Sequence, residues 1–437
     1  MTETRVTIIG GGLAGSEAAL YLAKHGIQSV LYEMRPKHMT SAHKTGNLGE
    51  LICSNSLKSK RTDTGAGLLK AELKILGSIL IELAENFDLK SGAGLTVDRE
   101  LFSSEITEKI TSSPFIDLKR EEISDIKNLS KPIIIATGPL TSENFTESLK
   151  SIIGEQFLHF YDAISPIISR DSIDEEKGFF ESRYGKGDEN IFNLPMTGDE
   201  YRLFYSELIK AEVVDMHDPD KMIYFESCLP VEEIARRGEK SLVFGPLKPV
   251  GFTNDKARKA EAVVQLRPEN KEGSSFNLIG FQTRLKYSEQ KRIFKMIPGL
   301  ENAEFLRFGS MHRNTFVNSP VVLSENLMLK SAGQIYLAGQ LSGVEGYIES
   351  IMSGLINALA VYHLISGREF YLPPVETITG GIIRRLITFS ENFQPVNANF
   401  GILPETISKV RDKKAKRKMQ AEIALRAMEN WANVFKI

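Results

Sequence analysis

The stretch Val6-Thr-Ile-Ile-Gly-Gly-Gly-Leu-Ala-Gly15 decides the fold. An apolar strand runs into Gly10, Gly12 and Gly15, and a helical pattern begins near Ser16. In such a turn one glycine makes the bend, one lets the backbone approach a pyrophosphate, and one lets the helix pack against the strand. The helix N-terminus then presents free N–H groups and a positive dipole end to phosphate. A second strand, Ser29-Val-Leu-Tyr32, ends at Glu33, where a carboxylate can accept a hydrogen bond from a ribose. Together these features predict a Rossmann-like dinucleotide-binding unit.

The first 160 or so residues alternate strand and helix. A polar loop from Arg35 to about Ser56 is followed by one amphipathic helix from about Gly67 to Asn86. Pro132-Ile-Ile-Ile-Ala-Thr-Gly138 reads as a buried strand ending in a small-residue turn, the pattern that lets a flavoprotein chain pass beneath its FAD. From about Tyr161 to Met311 short strand-like patches, such as Met222-Ile-Tyr-Phe225 and Phe276-Asn-Leu-Ile-Gly-Phe281, alternate with Gly/Pro/Asn turns. Strand, Gly-rich turn and helix then return in Gln334–Gly339, Gln340–Gly346 and a helix opening at Tyr347. The expected fold is α/β, a Rossmann-like FAD-binding domain of the two-dinucleotide-domain flavoprotein type. It is split in sequence (1–160 and 312–437, with a helical basic tail over 376–437) around an inserted mixed α+β domain (161–311). A second GxGxxG is absent from the sequence, so FAD rather than NAD is the expected resident cofactor.

The chain has 437 residues, enough for about two or three domains. Hydrophobic residues make up 42% and charged residues 25%, an ordinary globular composition. Polar residues at the start lead directly into a strand, unlike a secretory signal. No apolar run is expected to reach the ~20 residues of a membrane span, and no obligate protein partner is evident. Two widely separated cysteines, Cys53 and Cys228, exclude a disulfide framework and suit a reducing cytoplasm. The seven histidines show no metal-ligand spacing, so no metal is expected.

A net charge of −2 argues against blanket attraction to nucleic acid, but the cations cluster. Seven Lys/Arg residues stand between Lys409 and Lys418 against Asp412 alone, among them Lys413, Lys414, Lys416, Arg417 and Lys418. Lys58, Lys60 and Arg61 form a smaller basic knot after Cys53. Such patches are most often a solvated helix face; they also fit a phosphate-rich partner without demonstrating one.

Cys228 precedes Pro230, Glu232 and Glu233, with Arg236, Arg237 and Gly238 closing the pattern. That places the thiol just before a helix N-terminus, where the dipole favours thiolate; nearby glutamates oppose it. Cys53 lies in a polar loop after Glu33, positioned as nucleophile, base, flavin partner or filler. His312, Arg313 and Asn314 stand where the insertion rejoins the cofactor domain, and domain junctions form pockets.

These motifs together resemble one family. GGGLAGSEAA at 10–19, Glu33-Met-Arg-Pro36, GNLGELICSNSL at 46–57, Met-His-Arg-Asn-Thr at 311–315 and AGQLSGVEGYIES at 338–350 are similar to the TrmFO family, the folate- and FAD-dependent tRNA (uracil-5-)-methyltransferases related to GidA flavoproteins. The resemblance runs from residue 4 to the basic tail.

It implies transfer of carbon from methylenetetrahydrofolate, by way of reduced FAD, to C5 of a tRNA T-loop uridine, with NAD(P)H as reductant. It implies that Gly10, Gly12, Gly15, Glu33, Gly138, Gly339, Gln340 and Gly346 hold FAD. His312 would stack on the folate, with Arg313 and Asn314 beside it, and Tyr347 would position substrate or move a proton. The two basic segments would contact RNA backbone. Uracil C5 needs a nucleophile at C6; the helix dipole favours Cys228 for that role and leaves Cys53 beside the flavin, though the reverse is open. A ribosomal RNA uridine, a small-molecule NAD(P)H–flavin oxidoreductase and a non-enzymatic FAD-stabilised RNA-binding factor are the competing expectations.

Overall fold

The computed structural model describes residues 5–185, 190–214, 229–391, 393–404 and 412–435. Its main sheet has six strands in the order Met328–Leu329, Ala332–Leu337, Ile133–Ile135, Val6–Ile9, Ser29–Tyr32, Ile116–Lys119. All neighbours run parallel except the first pair. The near-continuous Val/Ile/Leu strands match this, because a parallel sheet covered on both faces has no solvent side to alternate against. After Val6–Ile9 the chain builds outward to one edge, then returns to the other side of the same strand at Ile133–Ile135. That reversal opens a crevice at the carboxyl ends of the two strands, where open α/β sheets bind ligands.

The first helix, Leu13–Lys24, packs against a second, Tyr347–Ile365. Their approach is close: a Cβ on Gly354 would stand 2.1 Å from the Ala14 carbonyl oxygen. The 19 residues of Tyr347–Ile365 are long and apolar enough to cross a membrane, contrary to the sequence expectation. Here 78% of the apolar window is buried inside the protein, as suits a core helix.

The single helix expected over Gly67–Asn86 is two, Gly65–Ile75 and Ile79–Asn86. Gly77 adopts φ +72° and ends the first; the Ser78 hydroxyl accepts from Ile81 N–H and caps the second. Leucine spacing continues across this break, which hides it from periodicity.

Residues 167–307 contribute a separate six-stranded sheet, ordered Phe305–Arg307, Ile167–Ser169, Ser275–Leu278, Ala262–Pro268, Phe192–Met196, Phe179–Phe180. Every neighbouring pair is antiparallel, and the sheet has its own hydrophobic core. A two-stranded antiparallel ribbon, Phe157–Ile164 with Ser310–Val317, leads between the two sheets. The boundaries read from the sequence fall opposite one another in this ribbon, where Tyr161 pairs with Arg313. The strand expected at Met222–Phe225 lies outside the described residues.

Two buried glutamates join helices. Glu17 accepts from Ile79 and Leu80 N–H at 3.1 and 2.8 Å. Glu72 accepts from Ile378 and Thr379 N–H, both at 2.8 Å. Each thus satisfies orphan donors at another helix's start. Burial outweighs these bonds and pushes both carboxyls up to about 7.

Between about pH 4.5 and 7 the folded protein therefore holds protons the unfolded chain releases, and this contribution falls as pH rises through that window. The depressed His25 and His363 act oppositely there. The informative quantity is wild-type minus Glu17→Gln stability. It should decline by up to about 3 kcal/mol from pH 4.5 to 7.5 in urea titrations, and a flat difference would refute the buried-acid assignment.

Candidate active site

The crevice at the switch point is a cleft of roughly 970 Å3, partly open to solvent. Gly10, Gly12, Glu33, Gly138, Gly339 and Gln340 all line it, as does Tyr347 at one end. Gly10 has φ +102°, and a Cβ there would stand 2.4 Å from the Ala136 carbonyl oxygen. On Gly15 a Cβ would lie 1.9 Å from the Gly10 oxygen, so only glycine lets this helix meet this turn. Gly12 differs: a Cβ would meet nothing within 4 Å. That open face beside the helix N-terminus is the cradle a pyrophosphate requires. The residues present therefore fit a dinucleotide. Gly346, φ +117°, caps Tyr347–Ile365, and Gly339 N–H donates to Ser353 Oγ at 2.7 Å.

Glu33 is buried at the end of its strand. Its oxygens accept from Gly11 N–H at 2.9 Å and from Arg35 through backbone N–H, Nε and Nη2. Burial raises its carboxyl's affinity for a proton, but the Arg35 charge and these bonds outweigh it and hold the group below the usual carboxylate range. Arg35 also pairs with Glu50 at 3.1 Å. Nothing in the sequence marks Arg35, two residues past the strand end, as the group that locks Glu33 in place.

Cys53 and Tyr347 are 294 residues apart in sequence and in contact. The Tyr347 hydroxyl oxygen accepts from Cys53 N–H at 2.9 Å and Ser54 N–H at 3.2 Å, and lies 3.0 Å from Cys53 Sγ. With two donors on the oxygen, the phenol proton is left to point at sulfur. Burial, then the adjacent thiol, pushes the Tyr347 hydroxyl well above its ordinary value, so it stays protonated and acts as donor.

Three arginines also converge on this loop, none legible beforehand. Arg99 donates to the Leu51 and Ile52 carbonyls, Arg307 to Ile52, and Arg267 to Ser54 Oγ. Burial opposes the Arg99 charge, but Glu269 at 2.8 Å maintains it. The arginines come from separate segments with no common spacing, so sequence alone offers no signal. Beside them Asn55 Oδ1, Arg99 Nε and Glu269 Oε1 are buried without a hydrogen-bond partner among the described residues.

Cys228 lies outside the described residues. After it, Pro230 is the N-cap of a helix, Val231–Arg236, rather than its first residue. Glu232 accepts from Thr283 Oγ1 and Arg284 N–H, both at 2.8 Å, and Glu233 pairs with Arg284 and Arg236. Six residues make a short helix, so local N–H groups matter more there than a long dipole.

His312 and Arg313 occupy the Ser310–Val317 strand; Asn314 is buried, and Thr315 N–H reaches the Pro139 carbonyl at 3.0 Å beside the cleft. The small basic knot is neutralised locally: Lys58 pairs with Glu349 at 3.6 Å, Lys60 with Asp88 at 2.8 Å, and Arg61 with Asp63. The helix Lys413–Phe435 packs against Gly65–Ile75, which brings the Lys414 charge near Asp63. Asp412 caps the helix Lys413–Phe435 through Lys414 and Ala415 N–H, and Arg417 lies over the Phe400 ring at 5.5 Å. Among the described residues no cluster of three or more His, Cys, Asp or Glu could hold a metal.

Residues 5–369 match the family model described as glucose inhibited division protein A, GIDA. Among solved structures, GidA from Aquifex aeolicus in its form II crystal superposes with a TM-score of 0.69 at 17% identity, covering 98% of this chain and 73% of that one. That likeness concerns the fold. Proteins named methylenetetrahydrofolate--tRNA-(uracil-5-)-methyltransferase TrmFO are much nearer in sequence. The Aquifex aeolicus protein is 51% identical over 98% of this chain and 96% of its own length. Its counterpart from Natranaerobius thermophilus is 50% identical over 98% and 99%. With that identity along the whole length, the chain belongs to the TrmFO family of GidA-related flavoproteins.

Proposed function

We propose that this chain methylates C5 of a uridine in tRNA, in the T-loop, taking carbon from methylenetetrahydrofolate with NAD(P)H as reductant. Beside the family membership, the observation that carries the reading is the Cys53–Tyr347 pair at one end of the dinucleotide cleft. FAD, held by the glycine turn and Glu33 with Gly138, Gly339, Gln340 and Gly346 around it, supplies redox capacity and carbon transfer when bound.

The chain's own residues do the rest. The Cys228 thiolate adds to uracil C6, which places enolate character at C5 and makes that carbon nucleophilic. Tyr347 O–H, Arg99 and Arg307 favour the anionic form of Cys53, which then takes the C5 proton after transfer; loss of Cys228 from C6 restores the ring. His312, Arg313 and Asn314, on the strand passing the Pro139 turn, hold the folate. The orphaned Asn55, Arg99 and Glu269 atoms await polar groups of a ligand.

Lys414, Lys416, Arg417 and Lys418 sit in the first turns of the Lys413–Phe435 helix, at its positive dipole end. Cations there cost about 0.3–1 kcal/mol each, which favours a functional role over a structural one. RNA phosphates supply it. Lys58, Lys60 and Arg61, whose side chains are each about two-fifths exposed, join this surface by exchanging carboxylate partners for phosphate. We place the reaction in the cytoplasm, where a free thiol persists, and treat 161–311 as the substrate domain.

Incubation with methylenetetrahydrofolate, NADPH and an unmodified tRNA transcript should give 5-methyluridine by nucleoside mass spectrometry, and none without folate. NADPH consumption with no methylated tRNA, or methylation of ribosomal RNA alone, would overturn the assignment.

A further inference from the structure

The helix Tyr287–Phe294 and the edge strand Phe305–Arg307 build an aromatic ladder. Phe294, buried in the second core, is its foot, with its ring centroid 6.5 Å from that of Phe305. Phe305 and Phe308 then stack at 5.1 Å and 14°, and Phe308 and Tyr287 at 4.8 Å and 19°. The last ring, Tyr287, is 58% exposed. Both of these contacts are offset stacks, a favoured arrangement of packed rings, and the run ends at an exposed tyrosine with no further ring against it among the described residues.

Cations frame it. Lys291, one turn beyond Tyr287, places Nζ 5.5 Å from the Phe308 ring centroid. The nearby Lys286 and Arg292 are paired with Glu212, and with Glu207 and Glu289. Arg307, between the two ladder phenylalanines in sequence, turns to the Ile52 carbonyl at 2.7 Å, next to Cys53. The ladder therefore shares a strand with a residue that braces the candidate catalytic loop.

We propose that the outer face of Tyr287 stacks an unpaired base of the RNA substrate, with Lys291 against the adjoining phosphate. Aromatic platforms beside cations bind single-stranded bases irrespective of sequence, and RNA loops offer unstacked bases to such surfaces. This inference rests on the RNA-methylating function and adds a contact that selects looped over duplex RNA.

The test is Tyr287→Ala holoenzyme titrated with unmodified tRNA transcript at fixed salt, with FAD content as the check on folding. Kd should rise about 5- to 100-fold, with the slope of log Kd against log salt unchanged. Lys291→Ala should instead lower that slope by about one. Tyr287→Trp should keep the affinity, and its fluorescence, read above that of Trp431, should be quenched on binding.

A Kd for Tyr287→Ala within twofold of wild type, or no quenching of Tyr287→Trp, would overturn the platform; the face would then serve packing or a protein partner. If wild type methylates tRNA while these variants bind normally, the platform alone fails. If wild type binds tRNA through Tyr287 but never methylates it, the enzymatic reading fails instead.

Discussion

Gly15→Ala is expected to purify without the yellow colour of bound flavin, its FAD occupancy down at least about tenfold. A Cβ would stand 1.9 Å from the Gly10 oxygen and 3.3 Å from Ala136 Cβ. The first of those is backbone, so the helix must back away from the turn. Its N-terminal N–H groups, which would face the pyrophosphate, move with it.

Gly12→Ala is the control. Its Cβ meets no protein atom within 4 Å, so the fold should be kept, while the methyl enters the space a phosphate needs. Urea midpoints and bound-flavin absorbance separate the two: Gly15→Ala loses both, Gly12→Ala mainly the flavin. Wild-type flavin content in Gly15→Ala would sink the assignment of this turn.

The second large effect concerns the thiols. Cys228→Ala should lower methylation at least about 10^3-fold, because a nucleophile with no substitute is gone, while FAD stays bound. Cys53→Ser and Tyr347→Phe should cost less, about 10- to 100-fold. Each removes one member of the Cys53–Tyr347 pair and leaves the bracing of the loop in place, since Arg99 and Arg307 still hold Ile52. Single-turnover formation of 5-methyluridine is the measurement. More than about a tenth of wild-type rate in Cys228→Ala, with Cys53→Ser inactive, would exchange the two roles.

Much of this was legible in local patterns. The glycine turn needed no tertiary information, because the strand before it, the helix after it and the steric demands of a phosphate-binding bend lie within ten residues. The Tyr347–Ile365 helix was equally plain, its apolar face repeating at helical spacing. The break at Gly77–Ser78 was missed because leucines keep their period across it, and only φ +72° at Gly77 distinguishes a stop from a continuing helix. The membrane-length character of Tyr347–Ile365 was also missed. A run of apolar residues reads alike whether lipid or the first helix covers it.

What strands and turns encode locally could be read from the string: a parallel α/β sheet and a glycine turn between its first strand and first helix. Only the tertiary structure decided which distant groups meet. Cys53 touches Tyr347, three arginines from unrelated segments brace one loop, and Lys58 finds Glu349. Backbone propensity and periodicity act over a few residues and leave a mark in the string. Hydrogen bonds and ion pairs between segments hundreds of residues apart depend on the register and direction of packed elements, and those are fixed only once the core has closed.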